Sequence, residues 1–353
     1  MIKIKFTILA LIVSFLASAQ KINNAADSLM SDVFEENGSG GIAIVVKDGE
    51  VLYRKAFGMA DMELDVKMTP ENILRIGSIT KQFTASAILK LMEDGKLDLQ
   101  DDITKYIKDY PTQGHSITIE HLLTHTSGIK NLTSMKTWTA ELRKRHFTPK
   151  EKVDFFKNEP MDFIPGEKFK YNNSGYILLG YIIEIVSGKK YSEYIDENFF
   201  KPLGMNNSFY ESTSDLVKNR AKGYQKQEGR YKNANFIDMS NPYAAGSLIS
   251  TVDDLYKWNN AIFNDKIVSK STLDKAHSSY KLNNGELTGY GYGWDINNIK
   301  NNKVILHGGA VSGYLTFSLY IPRKDIFVAV LSNCTCNRPR KTAIKLAILA
   351  LNN

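Results

Sequence analysis

Two short apolar runs rich in β-branched residues flank Lys47-Asp48-Gly49-Glu50 in "GGIAIVVKDGEVLYRKAFG" (40–58), a pattern that predicts a β-hairpin. Near the other end, "KVILHGG", "GYLTFSLYIP" and "IFVAVLSN" read as strands, with Pro322-Arg323-Lys324-Asp325 turning the last two. "RKTAIKLAILALN" then closes the chain as a helix. Between these ends the hydrophobic period becomes helical. From Ser78, "SITKQFTASAILKLMEDGK" places Ile79, Phe83, Ala87 and Leu91 on one face, with Gly95 as the expected C-cap. "GYILLGYIIEIVSG" (175–188) is apolar almost all round and predicts a buried helix stopping at Gly188. "YSEYIDENFFKPLG" predicts another helix, ended by Pro202. There is no repeat and no low-complexity linker. The economical architecture is an α/β lobe built from both ends of the chain, about residues 20–80 and 240–353, with a mostly helical lobe, about 81–239, inserted between them.

The first nineteen residues stand apart from that fold. Lys3 and Lys5 precede an apolar run from Phe6 to Ala17, and Ala17-Ser18-Ala19 fits a cleavage site, so residues 1–19 are expected to be a signal peptide. A run of roughly twelve residues is short for a bilayer span, and no stable membrane anchor is expected. The mature chain, residues 20–353, is then exported, to the periplasm or the medium, and is long enough for one large two-lobed domain.

The formal charge of +7 includes no block of like charges, which argues against nucleic-acid partners and leaves a small molecule or peptide as the expected substrate. The two cysteines, Cys334 and Cys336, are read as small residues at a strand end, because neighbours two apart on an extended strand have poor disulfide geometry. No further ligand lies near them in sequence, so no metal is assigned there.

Ser-x-x-Lys occurs five times, beginning at Ser18, Ser78, Ser127, Ser187 and Ser278. Only Ser78 falls at the predicted start of an amphipathic helix, where free backbone N–H groups and the positive dipole end favour a developing anion. The three-residue step also stacks Ser78 and Lys81 on one helix face, about 5 to 6 Å apart at Cβ. A serine beginning a helix is more often an N-cap than a nucleophile, so its company must decide. "KFKYNNSGY" supplies Tyr171-Asn172-Asn173, and "VILHGGAVSGY" supplies His307-Gly308-Gly309 at a strand end. A serine nucleophile needs a base, a proton route to the leaving group and two donors for the oxyanion, and these segments can supply all three. Tyr-x-Asn recurs at Tyr231-Lys232-Asn233, so it is the order of the three elements that carries the signal.

On these motifs the chain resembles the serine β-lactamase and penicillin-binding-protein superfamily, in its class C β-lactamase-like branch. "HLLTHTSGI", "FIPGEKFKYNNSGYILLGYIIEIVSG", "KPLGMNNSFY", "AAGSLISTVDDLYKW" and "YGYGW" resemble family segments in the same order, and the likeness covers about residues 25–350. It implies a β-lactamase-like fold, with an antiparallel sheet flanked by helices, and no cofactor. It also implies roles: Ser78 as the acylated nucleophile, Lys81 as its base with Tyr171, and Tyr171 as proton relay, its phenol acidified by cationic Lys81. Asn173 would bind the substrate amide, and the backbone N–H groups of Ser78 and Ala310 would form the oxyanion hole. His307 and Gly309 would line the substrate strand. Here the chain departs from the pattern, since His307-Gly308-Gly309 replaces the common Lys-Thr-Gly. An imidazole titrating near neutrality would replace a permanent carboxylate-binding cation.

The expected activity is that of an exported serine hydrolase acting on D-amino-acid peptides, amides or small esters. A class C-type β-lactamase and a D-Ala-D-Ala carboxypeptidase are the alternatives within the family. A catalytically silent cell-wall peptide binder and a zinc hydrolase on His121 and His125 are the rivals outside it; position 122 is Leu, so the glutamate of His-Glu-x-x-His is missing. Trp258 and Trp294 are expected in the core, and residues 131–150 and 211–243 as pocket walls.

Overall fold

The computed structural model describes residues 22–352. The expected signal peptide, residues 1–19, lies outside the described residues.

Strands β1 (Gly41–Lys47) and β2 (Glu50–Phe57) form the expected hairpin. Its corner is Asp48-Gly49, both at positive φ (50° and 78°), which suits a tight turn between twisted strands. The late strands are β3 (Asp295–Ile299), β4 (Asn302–Val311), β5 (Tyr314–Ile321) and β6 (Ile326–Ser332). All pair antiparallel in the order β3-β4-β5-β6-β1-β2, so β1 bonds to β6 from the far end of the chain, with Gly41 opposite Ser332 and Lys47 opposite Ile326.

Both faces of this sheet are covered, which is why its central strands read as continuous apolar runs. Ala43, Val45, Val328 and Val330 face a helix over residues 22–31 and the last helix. Ile42, Ile44, Ala329 and Leu331 belong to the larger core on the other face. That core is built on helices α1 (Thr80–Glu93), α2 (Asn173–Ser187) and α3 (Val252–Phe263), while α4 (Pro339–Leu351) closes the chain. Phe83 of α1 stacks on Trp258 of α3 at 3.9 Å, and Trp258 and Trp294 are both buried.

Three expectations are corrected in detail. Regular α-helix begins at Thr80, because Ser78 sits in a 3-10 turn, Gly77–Ile79, with no side-chain cap. The helix from Tyr191 runs past Pro202 to Leu203 through a wider π-turn at Asp196–Phe200 and ends at Gly204, whose φ is +63°; proline's missing donor is tolerated there because the preceding turn is not a regular α-turn. Cys334 and Cys336 form a disulfide. The chain leaves β6 at Ser332 and turns, which brings the two Cα atoms to 5.1 Å, within the range that a disulfide spans.

Candidate active site

The site forms where the first turn into α1 meets the edge of β4. Ser312-Gly313 is a two-residue turn between β4 and β5 with Val311 opposite Tyr314, which makes that pair hydrogen-bonded. By alternation Ala310 is a non-hydrogen-bonded position, and its N–H points away from β5. On that outer side β3 pairs with β4 only as far as Leu306, so the edge from His307 onward is open.

The Ser78 turn fills this opening at very short range. Gly77 has φ +52°, and a Cβ there would lie 2.7 Å from Ala310 N. A Cβ on Gly309 would lie 1.9 Å from the Ile76 carbonyl oxygen and 2.3 Å from Thr316 Oγ1. Both glycines are thus required by close approach, and Thr316 Oγ1 locks the contact by donating to the Ile76 carbonyl at 2.8 Å. The Ser78 turn, which opens a helix, thus lies against the strand edge that carries the Ala310 N–H, an arrangement that can serve an oxyanion.

Lys81 is fully buried beneath Ser78. Its Nζ lies 3.2 Å from Ser78 Oγ, 2.9 Å from Asn173 Oδ1 and 2.9 Å from the Ala245 carbonyl oxygen. Among the described residues no carboxylate touches it, and burial pushes its pKa well below the usual lysine range. A neutral amine at that distance can accept the serine proton. Asn173 is fixed in turn by Asn131 Oδ1, which accepts from its N–H at 3.1 Å, and by Thr133 Oγ1, which accepts from its Nδ2 at 3.1 Å.

Tyr171 hydrogen-bonds Ser78, and its ring lies under Lys81 Nζ, 4.9 Å from the centroid. The expectation that cationic Lys81 acidifies this phenol is reversed. Burial raises the Tyr171 pKa and outweighs the Ser78 hydrogen bond, while Lys81 is itself driven toward neutrality. Tyr171 is therefore held in its protonated form, able to donate.

His307 is also corrected. Its ring is buried, Nδ1 lies 2.6 Å from the Gly308 carbonyl oxygen and Nε2 lies 3.0 Å from the Tyr290 hydroxyl. A carbonyl only accepts, so Nδ1 carries the proton and Nε2 accepts from Tyr290. Burial, with the nearby Lys81, lowers its pKa to about 3. It does not titrate near neutrality and offers no cation to a substrate.

His121 and His125 do not share a ligand position. His121 Nδ1 accepts from the Thr118 N–H in a capping box, whereas His125 Nδ1 accepts from the Asn172 N–H at 3.1 Å. His125, at φ +60°, packs its ring 4.4 Å from that of Tyr171. Ala245 and Tyr290 were not assigned site roles from sequence, and His125 only as a zinc ligand in a rival reading. They stand in the segments "AAGS", "YGYGW" and "HLLTHTSGI", whose likeness to family segments was the available signal.

Ser78 and Ala310 line two clefts. One, of about 750 Å³, includes Asn173, Trp138, Ile177 and Phe236, with walls from residues 132–144 and 234–242, inside the segments expected to form them. The other, of about 900 Å³, includes Tyr171, His307 and the start of α4. Residues 24–352 match the family model described as Beta-lactamase.

The chain belongs to the Beta-lactamase family.

Penicillin-binding protein 4* of Bacillus subtilis is 28% identical over 344 residues, covering 91% of this chain and 73% of that protein. Protein flp of Staphylococcus aureus is 30% identical over 305 residues; the match covers 83% of this chain but only 59% of flp. Among solved structures, the octameric penicillin-binding protein homologue from Pyrococcus abyssi is 36% identical with a TM-score of 0.81, covering 95% of this chain and 77% of that one. The D-amino acid amidase from Ochrobactrum anthropi SV3, at 23% identity, shares the fold, with a TM-score of 0.80 over 94% of this chain and 99% of that one. Family and fold together make this chain a serine hydrolase of the β-lactamase and penicillin-binding-protein superfamily.

Proposed function

We propose that the protein is an exported hydrolase that forms an acyl-enzyme on Ser78 and acts on D-amino-acid amides or peptides, or on small esters. The neutral Lys81 amine takes the Ser78 Oγ proton as the oxygen attacks the substrate carbonyl. The carbonyl oxygen gains negative charge in the hole made by the Ser78 and Ala310 N–H groups. Tyr171 donates its proton to the leaving group as that bond breaks and recovers one from protonated Lys81. Water then repeats the sequence on the acyl-enzyme, and Ser78 Oγ leaves with the returned proton.

The observation that carries this reading is Lys81 Nζ, fully buried and free of any carboxylate contact, 3.2 Å from Ser78 Oγ. A charged lysine in that setting would be strongly disfavoured, so the site is poised as a base. Neutral His307 supports substrates with no carboxylate beside the scissile bond, and the D-amino acid amidase fold neighbour is consistent with an amide.

The test is intact-mass analysis after incubation with a fluorophosphonate and with a panel of D-amino-acid amides, p-nitrophenyl esters and β-lactams. One adduct on Ser78, absent in Ser78→Ala, is expected. No adduct on wild-type protein would favour the silent binder of cell-wall peptides.

A further inference from the structure

The cleft on the Tyr171 side has a wall that the mechanism above does not use. Arg338, Arg340, Lys341 and Lys345 line it, from the beginning of α4. All four are exposed, and none forms an ion pair among the described residues. The one acid lining the same cleft, Asp295, feels the charge of Arg340 but does not contact it. No acidic residue stands in the first turn of α4, so the positive charge is placed where the helix dipole opposes it. Against these four cations stand Asp295 in this cleft and Asp32, which lines a neighbouring cleft with Arg338, Lys341 and Lys345, so among the described residues the wall keeps a net positive charge.

Position makes this more than a solvated face. Ser78 and Ala310 line both clefts, but Tyr171 lines only this one and Asn173 only the other. A group that protonates the leaving group stands on the leaving group's side. On the reading under Proposed function, the acyl part therefore occupies the Asn173 cleft and the leaving group passes along α4. Next to the scissile bond it meets His307, which is neutral, and farther out it meets a row of cations. From position 338 to 345 that row extends about 10 Å at 1.5 Å per residue, longer than a single carboxylate requires.

We infer that the α4 wall is a leaving-group subsite for a polyanionic chain, one that carries phosphate or carboxylate groups at intervals and joins the acyl group through an uncharged ester or amide. The apolar floor under the charges, where the Arg340 guanidinium lies 5.5 Å from the Phe317 ring centroid, suits the carbon backbone of such a chain.

The experiment measures binding of a short linear polyphosphate and of orthophosphate to the folded protein. It uses wild type, Lys341→Gln/Lys345→Gln, and a control, Arg230→Gln/Lys232→Gln, altered on the hairpin formed by Tyr224–Gln227 and Arg230–Asn233. Four neutralised charges give a salt slope of about −3, so polyphosphate affinity should fall on the order of 50-fold between 50 and 200 mM salt. Removing two of the four should halve that slope and weaken binding about tenfold, with the control within about twofold of wild type. Polyphosphate should also inhibit hydrolysis of a neutral ester competitively, and orthophosphate should not. No polyphosphate binding, or equal weakening in both variants, overturns the subsite. Ser78 labelling of wild type by a fluorophosphonate is scored separately. Labelling without polyphosphate binding sinks the subsite alone, and binding without labelling sinks the hydrolase reading alone.

Discussion

Lys81 and Lys152 are both fully buried, and burial drives both well below the ordinary lysine pKa. Their surroundings differ. Lys81 faces Ser78 Oγ, Asn173 Oδ1 and the Ala245 carbonyl, with no acid acting on it. Lys152 donates to the Ser240 carbonyl and lies 4.1 Å from the Tyr243 ring centroid, and the charges of Glu184 and Asp238 partly restore its cation. Glu184 also accepts from the Tyr243 hydroxyl at 2.6 Å. Burial thus pushes both lysines toward the neutral form, but only a neighbouring proton donor lets one act as a base. Lys152 has no such donor and instead braces residues 240–245. That segment ends in the turn Tyr243–Ala245, with Tyr243 at φ +46°, which delivers the Ala245 carbonyl to Lys81.

The sharpest break of this comparison is to remove each amine. Lys81→Ala should slow acylation on the order of 10³-fold or more, about 4 kcal/mol of barrier, measured as the rate of Ser78 labelling. Lys152→Met should change that rate less than about tenfold, as expected of a brace outside the reacting atoms. Equal losses would erase the distinction between base and brace.

Tyr171→Phe should cost about 10² to 10³-fold in turnover of amides and less on p-nitrophenyl esters, whose leaving group needs no proton. Tyr231→Phe should leave both intact. Equal losses on amide and ester in Tyr171→Phe would remove the relay role.

Histidine sharpens the picture through pH. His307 and His277 are both held near a pKa of about 3 by burial, against 6.5 when exposed. Between those values the unfolded chain binds more protons than the folded one, so stability rises with pH and is lost as pH falls from 6.5 toward 3. Each histidine contributes at most about 1.4 kcal/mol per pH unit. Urea titrations from pH 7 to 4 should show this decline, and a flat profile would mean that the two rings are not held neutral. Over pH 5 to 8 the preference between a matched acid and amide substrate should stay constant, because His307 does not titrate there. A shift toward the acid at pH 6 would show a protonatable His307.

The smallest effect concerns stability. Lys152→Met keeps most of the volume and removes a buried amine, so it should lie within about 1.5 kcal/mol of wild type. Lys152→Ala should lose about 2 to 4 kcal/mol through the cavity it leaves. Thermal unfolding of the pair separates the contribution of packing from that of the amine.

Much of the sheet was legible because its strands carry both-face burial in their own composition, and α2 because its apolar run ends at a glycine. Ser78 and Lys81 could be paired from spacing alone, since a single helical turn fixes that distance wherever the helix sits. The disulfide was misread because an extended strand was assumed where the chain turns after Ser332.

What the sequence by itself determined is local: hydrophobic period, turn residues, and the one Ser-x-x-Lys that opens an amphipathic helix. Protonation belongs to the tertiary structure. Burial drives Lys81 toward its neutral form and widens the pH range over which Tyr171 and His307 stay neutral, and distant segments impose it, among them the Ala245 turn against Lys81 and the Ser78 turn against β4. A residue's type sets its pKa in water; only the burial that distant segments impose decides its charge in the folded protein.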